Sequence, residues 1–426
     1  MKTILLLSTL LISSNLLATP FNGYIIKAKN VSHFDAKVFS KYGEVSQISN
    51  TSFGSFVLLK PNQKFNAKAL QALSFNNQVE YIEPNYIITA NHVLESEPIS
   101  KPKDRSFKKQ WGLNNDGYNG SIFPSGAAGE DINVLKAWGI TKGAKNIKVA
   151  IIDSGVEYTH PDLQNQIDVN QIELNGKPGV DDDGNGYIDD IYGYNFAAKN
   201  GDPMDGYGHG TLCAGIVGAS HNSVGVAGVM ANVSILPVKF LDNNGSGELI
   251  DAILAIDYAI KRGANVLSNS WGTGGKTKAL EDAIVAARNA GITFVTAAGN
   301  QSSDNDTTDS YPGNFDIDNV ISVGAFSSNG KMSYFSNYGK KTVHVMAPGE
   351  HIFSTYTNGQ YFPESGTSMS APFVAGVVGL MLSQDPHLTP LQIRNRLINT
   401  SIKTPDLQSS SQSSGRVDAY RALINK

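Results

Sequence analysis

The chain has 426 residues, of which 41% are apolar and 9% aromatic, so it can bury a large core and a wholly disordered protein is excluded. Charged residues make up 17% and the formal net charge is −4, which is not typical of proteins that bind nucleic acids or anionic membranes. The single cysteine excludes an intrachain disulfide framework and a zinc–thiolate cluster. We therefore expect neither a nucleic acid nor a membrane as a stable partner.

The N-terminus has the features of a secretory signal peptide over residues 1–18. Lys2 precedes an apolar run over residues 4–17, and the small residue Ala18 marks the expected cleavage site, although Leu16 is larger than the residue preferred there. A membrane anchor is the alternative interpretation, but the run is shorter than the roughly 20 residues of a spanning helix. We expect a secreted, extracellular protein, with a periplasmic location as the alternative.

Residues 19–105 form a separate block, which we interpret as a small α+β domain followed by an exposed linker. Strand-like and helical segments fill the block, at Tyr24–Ile26, Ser55–Leu59, Ala67–Ala72 and Val79–Tyr86. From Asn91 onwards the composition turns to Glu, Ser, Pro and Lys without periodicity, as in a linker. The block has ten basic and seven acidic residues, whereas residues 106–426 have 23 and 31, and such opposite charges suit two parts that dock on each other.

From residue 148 onwards, strand-like and helical patterns alternate. The strands are short, mostly apolar and bounded by turn residues, at Lys148–Asp153, Ser234–Phe240, Val266–Ser270, Ile292–Ala297 and Val320–Val323. Helical patterns occur at Glu248–Arg262, Thr277–Ala290, Ser368–Leu382 and Pro390–Asn399. The alternation predicts an α/β fold with a doubly wound, mostly parallel sheet and helices on both faces. Functional groups are then expected at the carboxyl ends of the strands.

Three segments at strand ends or helix starts carry reactive groups. Asp153 ends an apolar strand, His209 lies between two glycines, and Ser368 opens a helix. Taken singly, they are typical of a turn residue, a loop residue and a helix N-cap. Taken together, they supply a nucleophilic hydroxyl, a histidine that takes its proton and a carboxylate that orients the imidazole. The helix N-terminus at Ser368 also offers N–H groups that help to hold an oxyanion.

In these motifs and their order, the chain resembles a subtilisin-type serine protease, or subtilase, over essentially its whole length. The resemblance implies Asp153 as the orienting acid, His209 as the general base and Ser368 as the nucleophile. It also implies that Asn300, which ends the segment Val295–Asn300, donates a hydrogen bond to the oxyanion.

The resemblance further implies how a polypeptide substrate would bind. The backbone of Ser270, Trp271 and Gly272 is similar to the strand that pairs with an extended substrate in this family. Gly299 is similar to part of the pocket for the P1 side chain, together with Ser310 and Tyr311. Because no acid lies among these pocket residues, apolar or aromatic P1 side chains are favoured.

The same resemblance implies that the protein is made as a preproprotein. Residues 19–105 are similar to the propeptide that acts as intramolecular chaperone and inhibitor, and its ending, Val79–Tyr86, matches the family pattern. Cleavage is expected between Ala90 and Lys108, which leaves a catalytic domain of residues 106–426. The function expected is that of a secreted serine endopeptidase, monomeric when mature, with its own propeptide as inhibitor.

An acidic loop predicts a calcium site. Asp181, Asp183 and Asn185 offer oxygen ligands at alternate positions, and the carbonyl of Tyr187 adds another. The bidentate Glu expected at the twelfth position is absent, so Asp190, or Asp189 beside it, would have to close the site. A solvated acidic turn is the alternative.

A second calcium site follows from the resemblance alone. It would use Gln110, Asp162 and Asn222, with backbone carbonyls of Ser220, Val224 and Val226. Ser220 and His221 differ from the residues that are commoner at these positions.

Cys213 lies one helical turn after His209 in the segment Gly210–Gly215, which resembles the proteinase K branch of the family. The plainer interpretation is a small buried apolar side chain. The alternative is a thiol whose reaction with mercurials inactivates the enzyme by displacing His209.

Two functions of other classes were weighed. The glycine-rich segment Gly272–Thr277 follows a strand and precedes a helix, as a nucleotide-binding P-loop does, but Ser270 stands where the first glycine is required. We interpret the segment as a surface turn. The second alternative is a catalytically inactive, calcium-stabilised binding protein, against which the intact Asp153, His209, Ser368 and Asn300 argue.

Overall fold

The computed structural model of the protein describes residues 21–29, 36–63, 65–90, 106–117, 126–273 and 275–425. The predicted signal peptide (1–18) and linker (91–105) lie outside the described residues. In the described parts of the chain, no helix combines the length and the apolar character that crossing a membrane requires.

The secondary structure alternates along most of the chain. The strands are β1 (Phe21–Ala28), β2 (Gly43–Thr51), β3 (Gly54–Pro61), β4 (Val79–Ala90), β5 (Gly143–Asp153), β6 (Tyr194–Asn195), β7 (Asn232–Lys239), β8 (Ser246–Glu248), β9 (Val266–Asn269), β10 (Trp271–Gly272), β11 (Thr293–Ala297), β12 (Val320–Phe326), β13 (Val345–Pro348), β14 (Ile352–Tyr356), β15 (Gln360–Glu364), β16 (Ile402–Lys403) and β17 (Gly415–Arg416). The helices are α1 (Lys37–Ser40), α2 (Ala67–Ser74), α3 (Val134–Ala137), α4 (Gln171–Leu174), α5 (His209–Gly218), α6 (Leu249–Lys261), α7 (Lys278–Asn289), α8 (Thr367–Gln384), α9 (Pro390–Thr400) and α10 (Ala419–Ile424).

The main sheet follows the predicted doubly wound pattern. Among the described residues its strands lie in the order β16-β17-β13-β12-β11-β9-β5-β7-β6, and every pair except β16–β17 is parallel. The strand order reverses beside β5, where β7 lies on one side and β9 on the other. A crevice opens at such a reversal, at the carboxyl ends of the strands.

Two apolar cores cover the faces of this sheet. Side chains alternate along β5, so Val149 and Ile151 join the core under α5 and α8, while Ala150 and Ile152 join the core under α6 and α7. The buried position of β5 on both faces explains why its sequence is almost continuously apolar.

Residues 21–90 form an antiparallel unit, here called the N-terminal unit, with the strand order β4-β1-β3-β2. Side chains again alternate: Ile26, Val57 and Leu59 pack on α1 and α2, whereas Ile25 and Phe56 join the core under α6 and α7. The unit therefore docks on the main domain through one apolar face of its sheet.

Candidate active site

The carboxyl end of β5 brings Asp153 to the crevice. After Asp153 the backbone turns at Gly155, which has φ +102°. Gly155 lies so close to Pro203 that a Cβ at this position would be 2.3 Å from the Pro203 carbonyl oxygen. The Asp153 side chain is fully buried, and its Oδ1 accepts a hydrogen bond of 2.7 Å from the backbone N–H of Ser154. A buried carboxylate in this position needs a cationic or hydrogen-bonding partner.

His209 supplies that partner. It is the first residue of α5, and its Nδ1 lies 2.8 Å from Asp153 Oδ1. The preceding residue has to be glycine: Gly208 has φ +107°, and a Cβ there would lie 2.4 Å from the Tyr356 ring. Burial opposes protonation of His209, but the charge of Asp153 and the hydrogen bond outweigh it, so the pKa of His209 lies above its ordinary value.

Ser368, the second residue of α8, lies on the other side of the crevice. Its Oγ donates a hydrogen bond of 3.1 Å to the carbonyl of Ser270, and Ser270 Oγ donates one of 2.8 Å to the Ser368 carbonyl. Helix α5 packs beside α8, and Cys213 Sγ lies 3.6 Å from the Ser368 carbonyl oxygen. The structure thus gathers Asp153, His209 and Ser368, distant in sequence, around the start of two neighbouring helices.

Asn300 lies beside Ser368 with its amide held at one end. Its Oδ1 accepts hydrogen bonds of 2.9 Å from both the N–H and the hydroxyl of Thr367, the residue before Ser368. Its Nδ2 is buried and has no hydrogen-bond partner among the described residues. A fixed amide with an unused donor next to a nucleophile is suited to hold a negative oxygen.

The predicted substrate strand is paired with the N-terminal unit. The end of β4 lies between β10 and β8, with Ala90 opposite Trp271, Thr89 opposite Gly272 and Ile88 opposite Gly247. Extended chain is thus bound by backbone hydrogen bonds on both edges, as in strand addition.

The side chain of Trp271 has a different role from its backbone. Its indole is fully buried, donates a hydrogen bond of 3.0 Å to the Ile152 carbonyl and packs against Phe240 and Phe294. Ser270, the residue before Trp271, makes the contact with Ser368 described above. Gly272, the residue after it, pairs with β4.

Gly299 lies between the Asn300 amide and the predicted P1 pocket. Its φ is +111°, its N–H donates to Thr367 Oγ1 at 3.1 Å, and a Cβ would lie 2.5 Å from Asn337 Nδ2. Ser310 Oγ donates a hydrogen bond of 3.0 Å to the carbonyl of Ala298, the residue before Gly299. The structure therefore brings Gly299 and Ser310 to the same turn.

Comparison with known proteins decides the family. The model of the subtilase family matches residues 144–418. The chain belongs to the subtilase family. It is 36% identical over 355 residues to a thermophilic serine proteinase of Bacillus sp. (strain AK1), which covers 83% of this chain and 75% of that protein.

Proteins of other organisms are also similar to this chain. Subtilisin-like protease 1 of Plasmodium berghei (strain Anka) is 36% identical over 303 residues, which covers 67% of this chain and 51% of the relative. Subtilisin-like protease 2 of Plasmodium falciparum (isolate 3D7) is 35% identical over 302 residues, 69% of this chain and 22% of the relative. This chain is a subtilisin-like serine endopeptidase, and the predicted resemblance is confirmed, as is the predicted α/β fold.

A carboxylate that the sequence analysis missed lies beside the acidic loop of this subtilase. Oxygen atoms of Glu173, Asp181 and Asp183 lie within 4.8 Å of one another. Asn185 Oδ1 accepts from the N–H of Tyr187 at 2.8 Å, so the loop is wound as its spacing predicts. Glu173 is in α4, before the loop, and no spacing rule within the loop points to it.

Asp190, predicted to close the site, accepts a hydrogen bond of 3.1 Å from Asn185 Nδ2 in the loop and further hydrogen bonds from outside the loop. Its Oδ2 accepts from Arg262 Nη1 at 2.8 Å and from the Tyr258 hydroxyl at 2.6 Å, and its Oδ1 accepts from Asn170 Nδ2 at 2.9 Å. These hydrogen bonds hold Asp190 on the side of the loop that faces the protein core. Glu173, which is 3% exposed, is a further carboxylate beside Asp181 and Asp183.

The residues of the second predicted calcium site converge on the loop 220–227. Asp162 Oδ2 accepts from the N–H of Val226 at 2.9 Å, whereas its Oδ1 is buried without a hydrogen-bond partner among the described residues. Gln110 forms two hydrogen bonds with the backbone of Ala227, of 2.7 and 2.8 Å. Asn222 lies in the loop itself, and its Oδ1 accepts from the N–H of Val224 at 2.8 Å.

The P-loop-like segment forms the turn before α7. Thr277 is the N-cap of α7, and the N–H groups of Lys278 and Ala279 donate to the Glu83 carboxylate at 2.6 and 2.8 Å. The donors that a P-loop would offer to phosphate are thus bonded to a residue of the N-terminal unit.

Proposed function

We propose that this subtilase cleaves peptide bonds through an acyl-enzyme on Ser368. Its hydroxyl oxygen attacks the substrate carbonyl carbon as His209 Nε2 takes the hydroxyl proton, and the carbonyl oxygen becomes negative. His209 then passes the proton to the departing amine nitrogen as the C–N bond breaks. A water molecule, deprotonated by His209, attacks the ester in the same way and releases Ser368 with its proton restored.

The other site residues stabilise the charges that appear in these steps. Asp153 orients the imidazole and stabilises its cation through the 2.8 Å contact with Nδ1. Asn300 Nδ2 and the N–H of Ser368 hold the oxyanion. The observation that carries the proposal is the unused, buried Asn300 donor fixed beside Ser368, because an orphaned donor at that point has no evident structural use.

We also propose that residues 19–105 are an inhibitory propeptide of an exported precursor. The end of β4 pairs with β8 and β10, where we expect an extended substrate to bind, and this pairing supports inhibition by occupation of the cleft. Ala90 lies opposite Trp271, next to the Ser270 carbonyl that binds the Ser368 hydroxyl. We therefore expect the first maturation cleavage within a few residues after Ala90, well before Lys108.

Calcium is proposed as a structural ion of the acidic loop. Glu173, Asp181 and Asp183, with Asn185 Oδ1 and the carbonyl of Tyr187, supply the oxygen ligands that Ca²⁺ prefers. One oxygen of each of the three carboxylates lies within 4.8 Å of the others, which supports the fit. The bound ion would supply a positive charge and hold the loop closed.

The function is tested by expressing the full-length wild type beside the Ser368→Ala variant. The wild type should cut itself after Ala90 and degrade casein, whereas the variant should remain an intact precursor without activity. N-terminal sequencing of the mature wild type locates the bond. Equal processing of both proteins with no casein cleavage would contradict the proposal and favour an inactive binding protein.

A further inference from the structure

A second buried carboxylate lies behind the Asp153–His209 pair. Asp205 is 5% exposed and belongs to the loop that precedes α5. Its Oδ1 accepts hydrogen bonds from Ser154 Oγ (3.0 Å), Tyr207 N (2.9 Å) and Gly208 N (2.9 Å), and its Oδ2 accepts from Thr211 N (2.9 Å) and Thr211 Oγ1 (2.6 Å). One carboxylate thus binds residues on both sides of His209.

These bonds supply what the helix start lacks. The first N–H groups of a helix need acceptors from outside it, and Gly208, the N-cap residue of α5, has no side chain to offer one. Asp205 accepts from Gly208 and Thr211 in that first turn. In the same turn, the N–H of Gly210 donates to Ser154 Oγ at 2.9 Å.

Ser154 joins this helix start to the acid of the catalytic pair. Its hydroxyl donates to Asp205 and accepts from Gly210, while its backbone N–H donates to Asp153 Oδ1 at 2.7 Å. A continuous chain of hydrogen bonds therefore runs from the end of β5 to the first turn of α5. Both partners of the Asp153–His209 contact are anchored in it.

We propose that Asp205 is a positioning residue, which fixes the first turn of α5 so that His209 stays in hydrogen-bond contact with Asp153. This inference rests on the proposed roles of His209 and Asp153. Displacement of a catalytic group by about 1 Å can cost 10²-fold in rate, so an anchor of this kind acts on turnover more than on substrate binding.

The charge of Asp205 adds a separable effect. The acids that face His209 are Asp153, Glu364 at the end of β15 and Asp205, and each favours the protonated imidazole and raises its pKa. The cation on the opposite side is Lys239 at the end of β7, whose Nζ donates to the Ser154 carbonyl at 2.5 Å. Removal of the Asp205 charge should therefore lower the pKa of His209.

The experiment compares Asp205→Asn and Ser154→Ala with wild type in the full-length chain after maturation. Asp205→Asn should lower kcat by about 10- to 100-fold with KM within twofold, and should move the acid limb of kcat/KM to lower pH. Ser154→Ala retains the charge, so it should lower kcat without moving the limb. Asp306→Asn is the matched control, because Asp306 also accepts hydrogen bonds from two backbone N–H groups (Lys341 and Thr342) and from the Thr342 hydroxyl, but in an exposed loop.

Each outcome decides the inference. An unmoved acid limb and a kcat of Asp205→Asn equal to that of Asp306→Asn would overturn it. If Asp205→Asn does not fold, Ser154→Ala decides alone, and a wild-type kcat in that variant would overturn the inference. A wild type without protease activity would refute the proposed function instead, so the two failures are distinguishable.

Discussion

Asn300 illustrates how one side chain can be prepared for a charge that exists only during the reaction. Its oxygen is bonded twice to Thr367, so the amide cannot rotate without losing both hydrogen bonds. Within the part of the chain that the structure describes, its nitrogen has no hydrogen-bond acceptor. The cost of burying that donor is recovered only when an oxyanion forms, so the side chain favours the transition state over the bound substrate.

We predict that Asn300→Ala lowers kcat by about 10²- to 10³-fold with little change in KM, because the lost donor acts on the developing oxyanion. Steady-state kinetics on a peptide substrate measure both constants. Asn329→Ala, at an exposed turn, is the control and should behave as wild type. A large rise in KM with unchanged kcat would show that Asn300 binds the substrate instead.

Cys213 packs next to Ser368, so chemical modification of its thiol tests the packing behind the nucleophile. Its thiol is fully buried 3.6 Å from the Ser368 carbonyl, and burial raises the pKa of the thiol, so reaction should be slow. We predict that stoichiometric mercurial labelling of Cys213 abolishes activity and that Cys213→Ala is active and resistant. Full activity of the labelled enzyme would refute this.

The local sequence predicts some residues of the candidate site but not others. Asp153, His209 and Ser368 were predictable because each lies in a short motif at a strand end or helix start. Glu173 and Asp205 were not, because their partners are set by the tertiary fold rather than by spacing. The role of Asp190 stays a prediction, because spacing within the loop cannot reveal that Arg262 and Tyr258 also donate hydrogen bonds to its carboxylate.

At the level of elements, apolar periodicity located the central strands and helices. It did not give the start of β5 or the hairpin of β14 and β15. The strand predicted over Lys148–Asp153 begins at Gly143, and most of the residues before Lys148 are half-buried or exposed, so they give no apolar signal. The hairpin of β14 and β15 was not predicted, since its burial comes from packing under α5: Ser354 and Thr355 donate to carbonyls of that helix. Tertiary packing overrides strand propensity at such places.

The acidic loop makes a prediction about stability. If Ca²⁺ binds there, its removal costs about 2.7 kcal/mol for an ion present at 100 times its Kd, which lowers the melting temperature by several degrees. Excess chelator should therefore lower the melting temperature of wild type. Glu173→Gln should melt lower in calcium and respond less to chelator, whereas Asp406→Asn, at an exposed position, should respond as wild type. An unchanged wild-type melting curve would remove both calcium sites.

At the scale of the whole molecule, the N-terminal unit is held by polar contacts around an apolar centre. Asn85 Oδ1 accepts from the N–H of Ile250 at the start of α6, and Glu83 accepts from the start of α7. Lys27 pairs with Asp282 at 2.8 Å. The charge difference between the two parts of the sequence predicted docking, but only the structure shows that the helix starts are the docking points.

Glu83 makes this docking dependent on pH. Burial at the interface raises its pKa to about 7, against opposing hydrogen bonds from Ala279 and Lys278, compared with about 4.3 in a free chain. Docking therefore takes up a proton between these values. The proposed inhibition should therefore be strongest below the lower pKa and should weaken by up to about tenfold per pH unit as the pH rises towards 7.

We predict that the full-length protein, once processed, releases activity sooner as the pH rises from 5 to 7, and that Glu83→Gln removes most of this dependence. The time to half-maximal casein cleavage is compared with wild type at each pH, so that effects on catalysis cancel. Glu80→Gln, an exposed position of the same strand, should resemble wild type. Parallel pH profiles of Glu83→Gln and wild type would contradict the role of Glu83.

The most direct test of the whole account is to label the mature enzyme with a fluorophosphonate and to map the adduct by peptide mass spectrometry. We predict one phosphonyl group per chain, on Ser368, with activity lost in proportion to labelling and with labelling strongly slowed in His209→Ala. Full activity in enzyme labelled at Ser368, or loss of activity with Ser368 unlabelled, would contradict the assignment of Ser368 as the nucleophile.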